Sequence, residues 1–257
     1  MSTSFAESPD GAHIAYECCG SGPVILLVHG GGGNRGEWHD AGYVQRLQDE
    51  FTVITMDLRG HGESDLPTQP SEYTIDKMVQ DILAVADACN SSHFSVWAMS
   101  FGAKVSRYLG THPERINRLV LMSTQLGSGV TGKLRQDAVD FCAHWSPIFR
   151  AGQDGGPDSN TLSQTDREMM ARLNIPVMLG WVRAMLDWPS IQPADFRCPT
   201  LWLLGSEDEH AMASFREFKE NIPGTLFQAQ ILEGLNHEQV FDEIDRVLPI
   251  LLEFTGS

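Results

Sequence analysis

Ser100 stands where an apolar run gives way to helix-forming sequence: Phe94-Ser95-Val96-Trp97-Ala98-Met99-Ser100-Phe101-Gly102-Ala103. Small residues, Ala98 and Gly102, flank it two positions away on either side. Strand, sharp turn and helix in that order hold a serine on a strained turn with its hydroxyl exposed. A bulky neighbour at either flanking position would collide with the adjacent strand or helix. The hydroxyl then sits at a helix N-terminus, where free N–H groups and the helix dipole favour developing negative charge. That arrangement suits nucleophilic attack on an electrophilic carbon. The same small-x-Ser-x-small pattern also occurs in ordinary turns. The reading therefore needs a base, an acid and oxyanion donors from elsewhere in the chain.

Candidates for those roles follow other apolar runs. Val24-Ile25-Leu26-Leu27-Val28 reads as a strand buried on both faces and leads into His29-Gly30-Gly31-Gly32-Gly33-Asn34. Consecutive glycines let the backbone approach a ligand and turn N–H groups toward it. Neither Gly-Lys-Ser/Thr nor G-x-G-x-x-G spacing is present, which argues against a phosphate loop. Thr200-Leu201-Trp202-Leu203-Leu204 ends in Gly205-Ser206-Glu207-Asp208-Glu209-His210, and a strand near 227–232 ends in Glu233-Gly234-Leu235-Asn236-His237. The strand at 51–56 runs into Asp57-Leu58-Arg59-Gly60-His61-Gly62-Glu63-Ser64-Asp65. In that loop Asp57 and Arg59 are expected to pair, and His61 to brace rather than to act as a base.

The elements between these runs alternate. A hairpin over 5–8 and 13–18 turns at Pro9-Asp10-Gly11. Helices are expected at 41–49, at 75–90 behind Thr74 as N-cap, at 104–110, at 213–220 and at 239–254. Another buried strand covers 118–123. Alternating strands and helices with short connections build a mostly parallel sheet covered on both faces, with its functional edge at the strand carboxyl ends. His29-Gly30-Gly31, Ser100, Asp208 and His237 should meet there. From 125 to 197 the alternation stops, and helical patterns appear at 133–149, 165–173 and 176–188, with a glycine-rich loop over 151–160. This insertion is rich in large apolar side chains, among them Trp145, Trp181 and Trp188.

The chain has 257 residues, 42% hydrophobic, with a net charge of −16. That suits one core with an insertion and disfavours nucleic acid and anionic membranes as partners. No apolar run approaches the ~20 residues of a membrane span, and no secretory signal is visible, so a cytoplasmic protein is expected. Cys18, Cys19, Cys89, Cys142 and Cys198 have no zinc-site or C-x-x-C spacing and read as free thiols.

The sequence resembles the α/β-hydrolase superfamily over nearly its whole length. The resemblance rests on His29-Gly30, Asp57-x-Arg59-Gly60-x-Gly62-x-Ser64, Ala98-x-Ser100-x-Gly102, Gly205-x-x-Asp208 and the late His237, in that order. It implies an α/β-hydrolase fold: a mostly parallel sheet of about eight strands, helices on both faces, and a helical cap inserted after the sixth strand. Residues 1–124 and 198–257 would form the core and 125–197 the cap. It also implies that Ser100 is the nucleophile, His237 the base and Asp208 the residue that orients it. Glu207, Glu209 and His210 compete less well for these roles. The N–H groups of Phe101 and Gly31 would form the oxyanion hole, with Gly30 or Gly32 as alternative registers in the glycine run.

Gly30, Trp38, Trp145 and Trp181 are the substrate-contact candidates, and no cofactor or metal is implied. Ala98 departs from the usual glycine of the elbow, which weakens assignment to subfamilies that carry glycine there. A serine nucleophile argues against haloalkane dehalogenases and epoxide hydrolases, which use a carboxylate. The expected reaction is hydrolysis of a small to medium apolar ester or lactone by a monomer or homodimer. The alternatives are a C–C bond hydrolase, which needs a cation such as Arg135 or Arg183 for a substrate carboxylate, and a small-molecule receptor with slow turnover.

Overall fold

The computed structural model describes residues 2–151 and 162–256. Eight strands form one sheet: β1 Ser4–Glu7, β2 His13–Gly20, β3 Val24–Val28, β4 Thr52–Met56, β5 Phe94–Met99, β6 Ile116–Met122, β7 Thr200–Gly205 and β8 Phe227–Leu232. Their spatial order is β1-β2-β4-β3-β5-β6-β7-β8. The β1–β2 and β2–β4 pairs are antiparallel, and every other pair is parallel.

The apolar runs are continuous because each central strand is covered twice. Leu26, Val28, Val96, Ala98, Leu119, Leu121, Trp202 and Leu204 face one layer, with Met78, Ile82 and Val85 of the helix Ile75–Ala88. Their alternates Ile25, Leu27, Trp97, Met99, Val120, Met122, Leu201 and Leu203 face the other, with Tyr43, Leu47, Val247 and Leu251. A period of two thus sends successive side chains into two separate cores.

Register aligns the strand carboxyl ends. Val28 pairs with Ala98, Met99 with Met122, Met122 with Leu203, and Gly205 with Leu232. The residues that follow, from His29, Ser100, Ser123 and Ser206 onward, therefore emerge along one edge.

Some helices differ from expectation. The helix expected at 41–49 is the shorter Tyr43–Leu47, preceded by an unanticipated one at Glu37–Asp40, with Gly42 at φ +85° between them. The helix behind the elbow starts at Ser100 itself and tightens into a 3₁₀ turn at Arg107–Thr111. The last helix divides at Glu243 into Gln239–Asp242 and Ile244–Thr255. Between β6 and β7 lie the helices Gly132–Ala151, Gln164–Arg172 and Ile175–Met185. A two-bond bridge between Gly127 and Ile191 ties the start of this segment to its end. The glycine-rich loop expected at 151–160 lies, but for Ala151, outside the described residues. Among the described residues, no helix is long and apolar enough to cross a membrane, and all five cysteines are free.

The expected Asp57–Arg59 pair does not form. Arg59 turns the other way, to Asp81 (Nε–Oδ2 2.9 Å, NH2–Oδ1 2.7 Å) and to Asp10 (2.6 and 2.9 Å). Asp57 instead accepts the Arg35 N–H at 2.7 Å and the Glu63 N–H at 2.9 Å, and pairs with the Arg35 guanidinium. The two ions share a loop but serve opposite sides of it. Arg59 fastens the loop to the first hairpin turn and the helix Ile75–Ala88, while Asp57 fastens it to the glycine loop. Arg59 and Asp81 are both buried. Arg59→Met should therefore cost about 3–5 kcal/mol in urea unfolding, because Asp81 is left as an unpaired buried charge. Adding Asp81→Leu should recover much of that loss. Wild-type stability in the single variant would contradict this account of the loop.

Candidate active site

Ser100 carries φ +52°, a left-handed conformation that non-glycine residues rarely adopt. The turn is forced by its surroundings. A Cβ at Gly102 would lie 2.3 Å from the His29 carbonyl oxygen and 2.8 Å from that of Val28, so only glycine lets the helix sit this close to β3. Ala98 is fully buried between Val28 of β3 and Leu121 of β6. Alanine is accommodated there without disturbing the elbow.

His237 follows β8 and faces the serine, with Nε2 2.8 Å from Ser100 Oγ. Its Nδ1 lies 2.7 Å from Asp208 Oδ2. An ionised carboxylate only accepts, so Nδ1 carries the proton and Nε2 is free to accept from the hydroxyl. Asp208 is 3% exposed and also caps the helix Glu209–Phe218, accepting the Ala211 N–H at 3.0 Å. Burial raises its pKa, but the hydrogen bonds from His237 and Ala211 outweigh burial and hold it below the ordinary carboxylate range. Glu207 and Glu209 make no such contact with His237. His210 lines the cavity behind the serine, but His237 holds the hydrogen bond to Ser100.

The glycine loop borders the same point. Idealised Cβ atoms would stand 3.6 Å from Ser100 Cβ at Gly30, and 3.1 Å from Phe101 Cβ at Gly31. His29 fixes the start of this loop. Its Nε2 accepts the Leu58 N–H at 3.0 Å, and its Nδ1 donates to the Gly30 carbonyl at 2.6 Å. Burial, and after it His61, pushes the pKa of His29 down to about 3, so the ring is neutral. His61 is buried between His29, Phe101 and Trp181 and braces the loop.

Of the four substrate-contact candidates, Gly30 lines the cleft at Ser100. Trp181 packs on Phe101, beside the nucleophile, with ring centroids 4.7 Å apart and planes tilted by 43°, and it borders neither cavity at Ser100. Trp38 and Trp145 require correction. Trp38 is fully buried against Tyr43 and Phe241, so Phe241 forms the cleft wall in its place. Trp145 fills a small core with Leu162, Ile175 and Leu179 that holds the inserted helices together. Both are apolar enough to line a pocket, but their elements turn them into cores. Arg135 and Arg183 border a cavity of about 900 Å³ that does not include Ser100.

Two spaces meet at Ser100 and His237. One is a cleft of about 580 Å³ bordered by Glu37, Asp40, Glu238 and Asp242. Behind the serine is a cavity of about 210 Å³ bordered by Lys104, Ser123, Thr124 and Gln125. Lys104 and its neighbours were not anticipated as site residues. The available signal was spacing: Lys104 is the one charged residue of the helix Ser100–Ser106 and stands four positions from the serine, on the same helical face.

An eight-stranded sheet with a serine after β5, an aspartate after β7 and a histidine after β8 defines a class of fold and site. A family model for the alpha/beta hydrolase fold matches residues 23–209, and the chain belongs to that family. The uncharacterized hydrolase YraK of Bacillus subtilis is 35% identical over 111 residues, 43% of this chain and 40% of that protein. The chain thus spans less than half the length of the first curated relatives it matches. A putative 2-succinyl-6-hydroxy-2,4-cyclohexadiene-1-carboxylate synthase of B. subtilis is 23% identical over 84% of this chain and 86% of its own length. Among solved structures, an esterase from Exiguobacterium antarcticum superposes with a TM-score of 0.77 at 19% identity, covering all of both chains.

Proposed function

We propose that the protein is a serine hydrolase that cleaves a carboxylic ester or lactone through an acyl-enzyme. The observation that carries this reading is the continuous hydrogen-bond path from Ser100 through His237 to Asp208, at 2.8 and 2.7 Å. His237 Nε2 takes the hydroxyl proton as Ser100 Oγ attacks the carbonyl carbon. Asp208 holds the productive tautomer and stabilises the imidazolium. The Phe101 and Gly31 N–H groups receive the oxyanion, an interaction worth about 10²–10³ in rate per donor. His237 then protonates the leaving alkoxide and activates water against the acyl-enzyme.

The inserted segment 125–197 acts as a cap on the core formed by 1–124 and 198–257. The helix Ile175–Met185 supports this by bringing Trp181 onto Phe101. The site then takes a small to medium substrate under that roof. A C–C bond reaction relying on Arg135 or Arg183 is less well supported, since neither borders the cavities at Ser100.

The test is turnover of neutral p-nitrophenyl esters, followed by titration with a fluorophosphonate. One phosphonyl group per chain should stop turnover, and the modified peptide should contain Ser100. Full turnover after stoichiometric labelling, or an adduct elsewhere, would sink the reading. Slow single turnover would instead favour a receptor role.

A further inference from the structure

The cavity behind Ser100 is polar in a way that the hydrolytic machinery does not use. Lys104 is 5% exposed, and among the described residues it has no carboxylate within ion-pair distance. Its hydrogen bond, to Gln125 Oε1, is stretched to 3.5 Å. Ser123 Oγ and Thr124 Oγ1 are buried at the same cavity and find no hydrogen-bond partner among the described residues. Ser123 is also held at φ +47°. Buried polar groups left without partners are costly, by about 1–3 kcal/mol each. These two hydroxyls and the weakly bonded Lys104 border one cavity of about 210 Å³, together with Asp208 and His210. An ammonium and two hydroxyls form a donor set for a carboxylate.

We propose that this cavity receives a second carboxylate, carried at the far end of the substrate's acyl chain, with Lys104 as its counter-ion and Ser123 and Thr124 as hydrogen-bond donors. The proposal rests on the serine-hydrolase reading and names its substrate class: half-esters, or lactones, of short dicarboxylic acids. Orientation follows from charge and size. The wider cleft presents Glu37, Asp40, Glu238 and Asp242, which repel an anion. Its volume of about 580 Å³ gives the leaving alcohol a way out. The narrower cavity holds the part that stays bonded to Ser100. Burial, and after it the Arg107 guanidinium, holds the Lys104 amine well below the ordinary lysine range, while Asp208 acts the other way. A carboxylate in the cavity would add to the effect of Asp208.

The experiment compares monoethyl glutarate with ethyl valerate, whose acyl chains differ only by a carboxylate in place of a methyl group. Wild-type kcat/KM should be higher for the half-ester. In Lys104→Met, the ratio of the two kcat/KM values should fall about 10²-fold, the value of a charge-assisted hydrogen bond. Thr124→Val should lower the same ratio by about 10-fold. This second variant decides the matter if Lys104→Met does not fold. A wild type that does not prefer the half-ester, or a ratio unmoved by the substitutions, would overturn the proposal. Calorimetric binding of monoethyl glutarate to Ser100→Ala separates the two readings. Binding that Lys104→Met abolishes supports the carboxylate site even if no ester is turned over. No binding refutes the site even if p-nitrophenyl esters are hydrolysed.

Discussion

Ser100→Ala should lower kcat/KM for p-nitrophenyl esters by about 10⁶-fold, the loss seen when the serine of a working triad is removed. The size follows from geometry. Among the described residues, the one hydroxyl that His237 Nε2 contacts is Ser100 Oγ, at 2.8 Å. Without it His237 can at best activate water, at a position the elbow does not define. The Phe101 and Gly31 N–H groups remain, so a small residual rate over buffer should persist. Folding should barely change. The strain at φ +52° resides in the backbone and is imposed by the approach of Gly102 to β3, which alanine at position 100 leaves intact. One hydrogen bond is lost, worth about 1 kcal/mol. Circular dichroism and urea midpoints near wild type, together with lost turnover, would separate chemistry from misfolding. Retained turnover would show that another residue is the nucleophile.

What could be read from the sequence is what local pattern and topology fix together. The central strands were legible because burial on both faces makes Val24–Val28 or Thr200–Gly205 uniformly apolar. The positions of Ser100, Asp208 and His237 followed, since parallel strands deliver their carboxyl ends to one edge and each residue stands just beyond such an end. Partners chosen across the fold were not legible. Arg59 selects Asp10 and Asp81, which lie 49 and 22 positions away, over Asp57 two positions away. Nothing local distinguishes these carboxylates; the packing of the first hairpin turn and the helix Ile75–Ala88 against the loop does. The tryptophans failed for a related reason. Trp38, Trp145 and Trp181 are chemically alike, and only helix orientation decides that Trp181 packs on Phe101 beside the nucleophile while the others enter cores. Lys104 was hidden by its own chemistry, because lysines in short helices usually face water.

If the proposed substrate class holds, the charged side chains of the two cavities bear on how the site would discriminate. Four carboxylates border the wide cleft, the Lys104 amine and the Asp208 carboxylate border the narrow cavity, and Ser100 and His237 border both. Desolvation and mutual repulsion from Asp242 and Asp40 push the Glu37 carboxyl above the ordinary range, so the cleft already crowds its negative charge. An anionic substrate offered backwards would meet that repulsion. On the substrate class proposed above, specificity would be built as much from rejection as from attraction.

Asp208→Asn should lower kcat by about 10⁴-fold with a much smaller change in KM. The asparagine carbonyl can still accept the Ala211 N–H at the start of the helix Glu209–Phe218, so the turn keeps its cap. The amide NH₂ then faces His237 Nδ1, which must give up its proton and accept. Nε2 carries the proton instead and points it at Ser100 Oγ, so the hydroxyl has no base. The loss is one of tautomer, and it needs no displacement of the ring. Stability supplies an independent check. Asp208 is held below its ordinary pKa, so its charge adds stability above the unfolded value, and that contribution is lost as pH falls through the folded value. Asparagine has no such contribution. The stability gap between wild type and Asp208→Asn in urea should therefore be open at neutral pH and close as pH falls below about 4. A gap that widened on acidification would show that burial, and not the His237 hydrogen bond, dominates at Asp208. The tautomer argument would then lose its footing, because Asp208 would be a neutral acid that donates to His237.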